Sequence, residues 1–119
     1  MEPYKLFDAE YRFMNIIWER EPVNSTELVR LCREKLGWKK STTYTMLRKL
    51  SEKGMLRNEE AIVCSILKRE DTQKLESHAI VDKAFGGSLP QFLTAFLGGK
   101  KLTEQEAKEI QKIIDEATQ

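Results

Sequence analysis

The hydrophobic positions between residues 41 and 53 recur at the spacing of an α-helix. One face of this predicted helix carries Thr43, Met46, Leu47 and Leu50. The opposite face carries hydroxyls and cations, on Ser41, Thr42, Thr45, Arg48 and Lys49. Gly54 is placed to end the helix, and the apolar pair that follows it begins a strand. A free face with cations and no neutralising acid suits phosphates and base edges.

Two further helices are predicted before this one. The first spans about residues 9–20, with Asp8 as its N-cap. The second opens at Asn24, which forms a capping-box pattern with Glu27, and it ends at Gly37. Short connections join the three helices, which is the arrangement of a helix-turn-helix motif.

After the third helix the pattern changes to that of short strands. Residues 55–58 and 62–67 are predicted to form a β-hairpin joined by residues 59–61. Three helices followed by a hairpin are the order of a winged helix-turn-helix domain. The hairpin tip carries two glutamates where a wing that grips phosphate would carry cations, so we expect weak DNA contact there. Lys68 and Arg69, after the hairpin, are better phosphate candidates.

From residue 71 onward the pattern is helical again, in three short pieces. Glycine pairs at 86–87 and 98–99 separate the pieces. Ser88 can cap the second piece, and Thr103 forms a capping box with Glu106 for the last. We therefore predict a mainly α fold, with a winged helix-turn-helix DNA-binding domain over residues 1–70 and a helical dimerisation domain, or arm, over residues 71–119.

Helices this short cannot bury their own apolar stripe well. A second copy of the arm would cover it in a two-fold homodimer. The alternative is a monomer in which the arm folds back onto the N-terminal domain. The residues expected at the dimer interface are Ile80, Phe85, Leu89, Phe92, Leu93, Phe96, Ile110 and Ile114.

Charge is distributed unevenly along a chain of 119 residues with a formal net charge of +1. Residues 30–57 contain nine Lys or Arg and two acids, which gives +7, whereas residues 71–119 contain six Lys and eight acids, which gives −2. Localised positive charge is the electrostatic signature of a nucleic-acid-binding surface. The alternative is that these cations only solvate two surface helices.

The sequence does not predict an enzyme, a metal site or a cofactor. His78 is the single histidine, and neither Cys32 nor Cys64 has a neighbouring His or a second Cys at ligand spacing. Cys32 lies at a core position of the second helix, and Trp38 is expected to anchor packing rather than to stack on a base. No apolar run is long enough to span a membrane, and no signal peptide is recognisable, so we expect a cytoplasmic protein.

Three segments together resemble the penicillinase-repressor family, the BlaI/MecI/CopY type of bacterial transcriptional regulator. FDAEYRFMNIIWE is similar to the opening helix of that family. The pattern W-x-x-STTYTMLRKL-x-x-KGML is similar to its recognition helix and first wing strand. FGGSLPQFLTAFL followed by KLTEQEAKEIQKIIDE is similar to its dimerisation arm.

The resemblance implies a homodimer that binds a pseudo-palindromic DNA operator, with half-sites of the TACA/TGTA kind, and blocks transcription. Bases would be read by Thr42, Thr45 and Arg48, with Tyr44 and Lys49 near the DNA backbone. Together with the adjoining cations, the predicted DNA-binding residues are Lys40, Ser41, Thr42, Tyr44, Thr45, Arg48, Lys49 and Lys68.

The resemblance also implies control by a partner. In members that answer to a membrane-bound β-lactam sensor, a regulatory protease cuts an Asn–Phe bond in the arm. The matching bond here joins Ala95 to Phe96, so the Asn is absent. Copper-responsive members carry a Cys-rich tail, and no Cys follows Cys64 here. The sequence leaves two functions open, a signal-controlled dimeric repressor and a winged-helix protein-interaction module without sequence-specific DNA binding.

Overall fold

A computed structural model describes residues 6–118 of the chain. These residues form a mainly helical protein, as predicted, with three helices and a β-hairpin followed by three more helices. The helices are α1 Asp8–Arg20, α2 Ser25–Leu36, α3 Lys40–Glu52, α4 Arg69–Phe85, α5 Leu89–Leu97 and α6 Glu104–Ala117. The strands are β1 Val23–Asn24, β2 Leu56–Glu59 and β3 Ile62–Ser65. Within the described residues, no helix is both long and apolar enough to cross a membrane.

The core lies among α1, α2, α3 and the hairpin. Each of these helices contributes apolar side chains at helical spacing, which is why the three pack around a common centre. Trp38, in the connection before α3, stacks on Phe13 with 5.7 Å between ring centroids, which confirms its expected packing role. The core cluster consists of the buried apolar side chains of Phe13, Met14, Ile16, Ile17, Val23, Leu28, Leu31, Cys32, Leu47, Leu50, Met55, Leu56 and Val63.

The N-cap of α1 and the capping box of α2 differ from the prediction. Phe7, not Asp8, is the N-cap of α1, because the Glu10 carboxylate accepts the Phe7 amide at 2.8 Å and so fixes where the helix begins. Asn24 caps α2 as expected, with its side chain accepting the Thr26 amide at 2.8 Å. The predicted capping box with Glu27 does not form, since that carboxylate instead binds Arg30 one turn later.

The hairpin is tighter than predicted and is joined by a third strand. Its turn consists of two residues, Glu60 and Ala61, whose φ angles of 51° and 66° lie in the left-handed region. Strand β1 pairs with β3 in a sheet of order β1-β3-β2, so that Val23 lies opposite Val63. The hydrophobic pattern does not predict this strand, because two residues are too few to show a period.

The chain divides into two compact units between His78 and Ala79, inside α4. The boundary predicted between residues 70 and 71 remains a prediction. In the second unit, Ser88 caps α5 by accepting the Gln91 amide at 3.2 Å. Thr103 and Glu106 form the expected capping box of α6.

Candidate nucleic-acid interface

Helix α3 divides into the two faces that its sequence predicts. Thr43, Leu47 and Leu50 are buried against the core, and Met46 is half-buried. The polar side chains left exposed on the other side are Ser41, Thr42, Thr45, Arg48 and Lys49. The apolar contacts thus hold the helix against the domain while its hydroxyls and cations face outward. Arg48 makes no hydrogen bond or ion pair within residues 6–118, so its five donors are available to an external acceptor.

The first turn of α3 adds to this positive surface. Its N-cap, Lys39, provides no side-chain acceptor for the first amides, and no acid lies in the first turn. Unsatisfied amides and the helix dipole favour an anion at such an end. Lys40 lies there too, with its ammonium 6.0 Å from the centre of the Tyr44 ring.

The other end of α3 is tied to a buried carboxylate that the sequence analysis did not identify. Glu10, only 1% exposed, lies 3.0 Å from the Lys53 ammonium and 3.3 Å from that of Lys49. The Phe7 ring lies 5.8 Å from Lys49 and 5.4 Å from Lys53. Lys49 remains half-exposed and therefore keeps donors for an outside ligand.

Burial alone would raise the pKa of Glu10. The hydrogen bonds from the Phe7 amide and from Lys53 and Lys49 outweigh burial, so the pKa lies below its ordinary value. Glu10 is therefore ionised at neutral pH, and it helps fix the direction in which Lys49 leaves the helix.

Lys68, the predicted phosphate contact after the hairpin, has internal partners in the structure. Its ammonium lies 3.2 Å from Glu21 and 3.0 Å from the Ser65 carbonyl. Burial would raise the pKa of Glu21, but bonds from Ser65 and Lys68 lower it overall. Arg69 lies over the Trp18 ring at 5.5 Å and 3.6 Å from Glu19. A DNA contact by Lys68 remains a prediction. A phosphate would have to compete with the Glu21 carboxylate for the Lys68 ammonium.

The wing presents acid at its tip, as the sequence indicated. Glu59 and Glu60 are exposed, and the closest cation to Glu59 is Arg57 at 4.0 Å. Like charge makes close approach of this tip to a phosphate unfavourable. The positive surface therefore lies on α3 and not on the wing.

The predicted interface residues of the arm are all at least partly accessible in the single chain. Phe85 and Phe92 pack edge to face at 5.5 Å, and Phe92 lies 5.7 Å from Phe96. No described residue of the second unit is buried. Ile80, Leu89, Phe96 and Ile114 are exposed, whereas Phe85, Phe92, Leu93 and Ile110 are half-buried.

The described residues hold no cluster of His, Cys, Asp or Glu that could bind a metal ion. Cys32 is buried, and this burial raises the pKa of its thiol despite a contact with Thr43. Cys64 is half-buried on β3. A reactive cysteine needs a lowered thiol pKa, so the environment of Cys32 is that of a core residue.

Known proteins are similar to this chain over most of its length. The family model for the penicillinase repressor matches residues 6–116. The penicillinase repressor of Bacillus licheniformis is 25% identical over 94% of this chain and 91% of its own length. The methicillin resistance regulatory protein MecI of Staphylococcus aureus is 22% identical, with 94% of each chain covered. An uncharacterised 16.5 kDa protein of Latilactobacillus sakei is 29% identical over 89% of this chain and 75% of its own. The chain belongs to the penicillinase repressor family, whose members are DNA-binding transcriptional repressors and not enzymes.

Proposed function

We propose that this protein is a dimeric repressor that binds a pseudo-palindromic operator by placing α3 in the major groove. The observation that carries the proposal is the exposed face of α3, where hydroxyls and cations face outward while the opposite side is buried. An α-helix fits the major groove of B-DNA, and only there is every base pair distinguishable. The family membership supports the same function.

Arg48 and Lys49 would play different roles on this helix. Arg48 has no internal partner among the described residues, and its forked donors match the paired acceptors of guanine. Thr42 and Thr45 are exposed on the same side and offer both a hydroxyl and a methyl group. Lys49 is held at the edge of the helix by Glu10, which suits a phosphate contact.

The dimer is proposed from the accessibility of the arm. Phe96, Leu89 and Ile113 are 59%, 56% and 64% exposed in the single chain. Apolar side chains grouped on short helices are stabilised when a second copy removes them from water. Two-fold pairing would also present two copies of α3 to the two half-sites of a palindrome.

DNA reading can be tested by fluorescence anisotropy with a duplex that carries inverted TACA/TGTA half-sites and with a scrambled duplex. Arg48→Ala is expected to cost about 1–3 kcal/mol on the matched site and to reduce the preference for it over scrambled DNA. Lys49→Ala is the matched control, because loss of a phosphate contact should weaken both duplexes alike and flatten the salt dependence. An unchanged preference in Arg48→Ala would rule out base reading by this residue.

The same titration separates the two functions left open by the sequence. Wild-type affinity that falls steeply with salt is expected of a DNA-binding protein. If the wild-type chain binds neither duplex at low salt, the protein-interaction alternative is the better description and the repressor proposal fails.

Dimerisation can be tested by sedimentation equilibrium of the full chain. Phe96→Asp places a charge on the exposed apolar surface of α5 and is expected to shift the protein toward monomer. Gln91→Asp adds the same charge on the same helix at an exposed polar position, and it should leave the dimer intact. If the wild-type chain sediments as a monomer, or if both variants remain dimeric, the arm is not the interface.

The Ala95–Phe96 bond, which matches the cleavage site of sensor-controlled relatives, lies inside α5. Both residues are exposed, but a protease binds an extended segment, so cleavage there would require this helix to unwind. Intact protein in cells treated with a β-lactam, while the target genes are induced, would dismiss control by a protease.

A further inference from the structure

Helices α2 and α3 enclose a cleft beside the first turn of α3. Its volume is about 280 Å³. On α2 the lining residues follow the i, i+3, i+4, i+7 spacing of one helix face, and on α3 they are one turn apart. The lining side chains are those of Thr26, Val29, Arg30, Arg33, Lys40 and Tyr44. Three of the six are cations and none is an acid.

The three cations of the cleft are not equivalent. Arg30 is neutralised by Glu27 and Glu34, on either side of it along α2. Arg33 has no ion pair within residues 6–118, and Lys40 has only the face of Tyr44 beside it. The positive charge of the cleft therefore comes mainly from Arg33 and Lys40.

The backbone beside the cleft adds to this field. Lys40 is the first residue of α3, and the amides of that turn have no side-chain cap. Thr26 adds a hydroxyl, while Val29 and the Tyr44 ring form the apolar part of the wall. Two uncompensated cations, a hydroxyl and free amides suit a ligand with several anionic oxygens, such as a phosphate.

We infer that this cleft is a phosphate-binding site that holds a backbone phosphate of the DNA, with Arg33 as a contact outside the recognition helix. The inference rests on the proposed function. The location of the cleft supports this inference, because Lys40 and Tyr44 of its lining belong to α3. The residues that follow them in the chain, Ser41 and Thr45, are exposed. In helix-turn-helix proteins, the helix before the recognition helix crosses the DNA backbone.

The test compares two exposed cations of α2, only one of which lines the cleft. Arg33→Gln and Lys35→Gln remove one positive charge each, but Lys35 does not line the cleft. Binding is measured on a random-sequence duplex over a series of salt concentrations. Arg33→Gln is expected to weaken binding about tenfold and to reduce the salt slope by about 0.9 per lost phosphate contact, or about 1.8 for a dimer. Lys35→Gln should change affinity less than about twofold.

Lys40→Gln provides a second variant from the other side of the cleft and should behave like Arg33→Gln. The matched-to-scrambled preference should stay unchanged in both, since a phosphate contact carries no sequence information. Circular dichroism would verify that the variants are folded, as expected for substitutions at exposed positions. Equal effects of Arg33→Gln and Lys35→Gln would overturn the inference while leaving the proposed function intact. Failure of the wild-type chain to bind any duplex would instead be a failure of the proposed function.

A titration with inorganic phosphate, monitored by amide NMR at residues 40–42, distinguishes a backbone phosphate of DNA from a free phosphate ligand. Weak shifts that disappear in Arg33→Gln are expected, together with competition between phosphate and DNA. If inorganic phosphate binds in the cleft but Arg33→Gln leaves the DNA affinity unchanged, the cleft holds a free phosphate ligand and its assignment to the DNA backbone is wrong.

Discussion

Glu10 offers the sharpest test of how the domain is held together, because its carboxylate is buried and ionised at once. We consider Glu10→Gln, which keeps the shape of the side chain and removes the charge. The amide oxygen of Gln can still accept the Phe7 amide, whereas its NH₂ group cannot replace an anion beside Lys53 and Lys49. The variant is therefore expected to lose the ionic contacts and to keep the helix start.

The size of the effect follows from the exposure of the two lysines. Removing one partner of a buried ion pair costs about 3–5 kcal/mol. The Lys53 side chain is only 13% exposed, so its ammonium cannot regain full hydration when the carboxylate is lost, whereas the 51% exposed Lys49 can turn to solvent. We therefore expect Glu10→Gln to lower the free energy of unfolding by about 3 kcal/mol, near the lower end of this range. For a unit of this size the corresponding fall in Tm is more than about 10 °C.

The loss of stability in Glu10→Gln should depend on pH. The pKa of Glu10 in the folded protein lies below its ordinary value, so the carboxylate stabilises the fold at any pH above the pKa that this group has in the unfolded chain. That contribution disappears as the pH falls through the folded pKa, because a protonated Glu is close to Gln in shape and charge. The difference between wild type and Glu10→Gln should be complete at about pH 7 and should shrink at about pH 3.

Urea unfolding at one fixed protein concentration would measure this difference. Fluorescence of Trp18 and Trp38 reports on the first unit, since both rings pack against its core. Glu59→Gln is the control, because its side chain is 75% exposed and its substitution should change stability by less than about 0.5 kcal/mol. A loss in Glu10→Gln no greater than in the control, or one of equal size at both pH values, would refute the reasoning.

Three further predictions concern the turn, the core and the thiols. Ala61→Gly should raise the free energy of unfolding by about 0.5–1 kcal/mol in urea titrations, because Ala61 has a φ of 66° that glycine adopts without strain. Trp38→Ala should lower it by about 2–3 kcal/mol in the same assay, since the ring is half-buried and stacks on Phe13. In the native protein a thiol reagent such as Ellman's should modify Cys64 and reach Cys32 only on unfolding, because Cys32 is buried and its thiol pKa is raised.

Local patterns identified the elements of the fold well. The faces of α3, the glycine end of α2 and the capping box of α6 depend on residues within a few positions of one another. Such signals act within one turn of a helix, so the amino-acid order alone contains them. The wing was placed to within a residue or two for the same reason.

Local sequence patterns could not predict the ion-pair partners of the charged residues. Glu10 contacts Lys53 across 43 positions, and Lys68 contacts Glu21 across 47. In the sequence each of these residues is an ordinary charged position, and only packing brings the opposite charges together. For that reason the sequence predicts a Lys68 that is available to phosphate, and it gives no sign of the contacts that Glu10 makes.

The sequence by itself determined which helix has a buried apolar face and an exposed face of hydroxyls and cations, because amphipathic spacing and the type of side chain are local properties. The tertiary structure decided which cations remain available to a ligand. Arg48 and Arg33 have no internal ion pair in the described part of the chain, while Lys49 and Lys68 share their charge with glutamates. The physical reason is that charge pairing acts through space over a few ångströms, and the folded chain alone sets those distances.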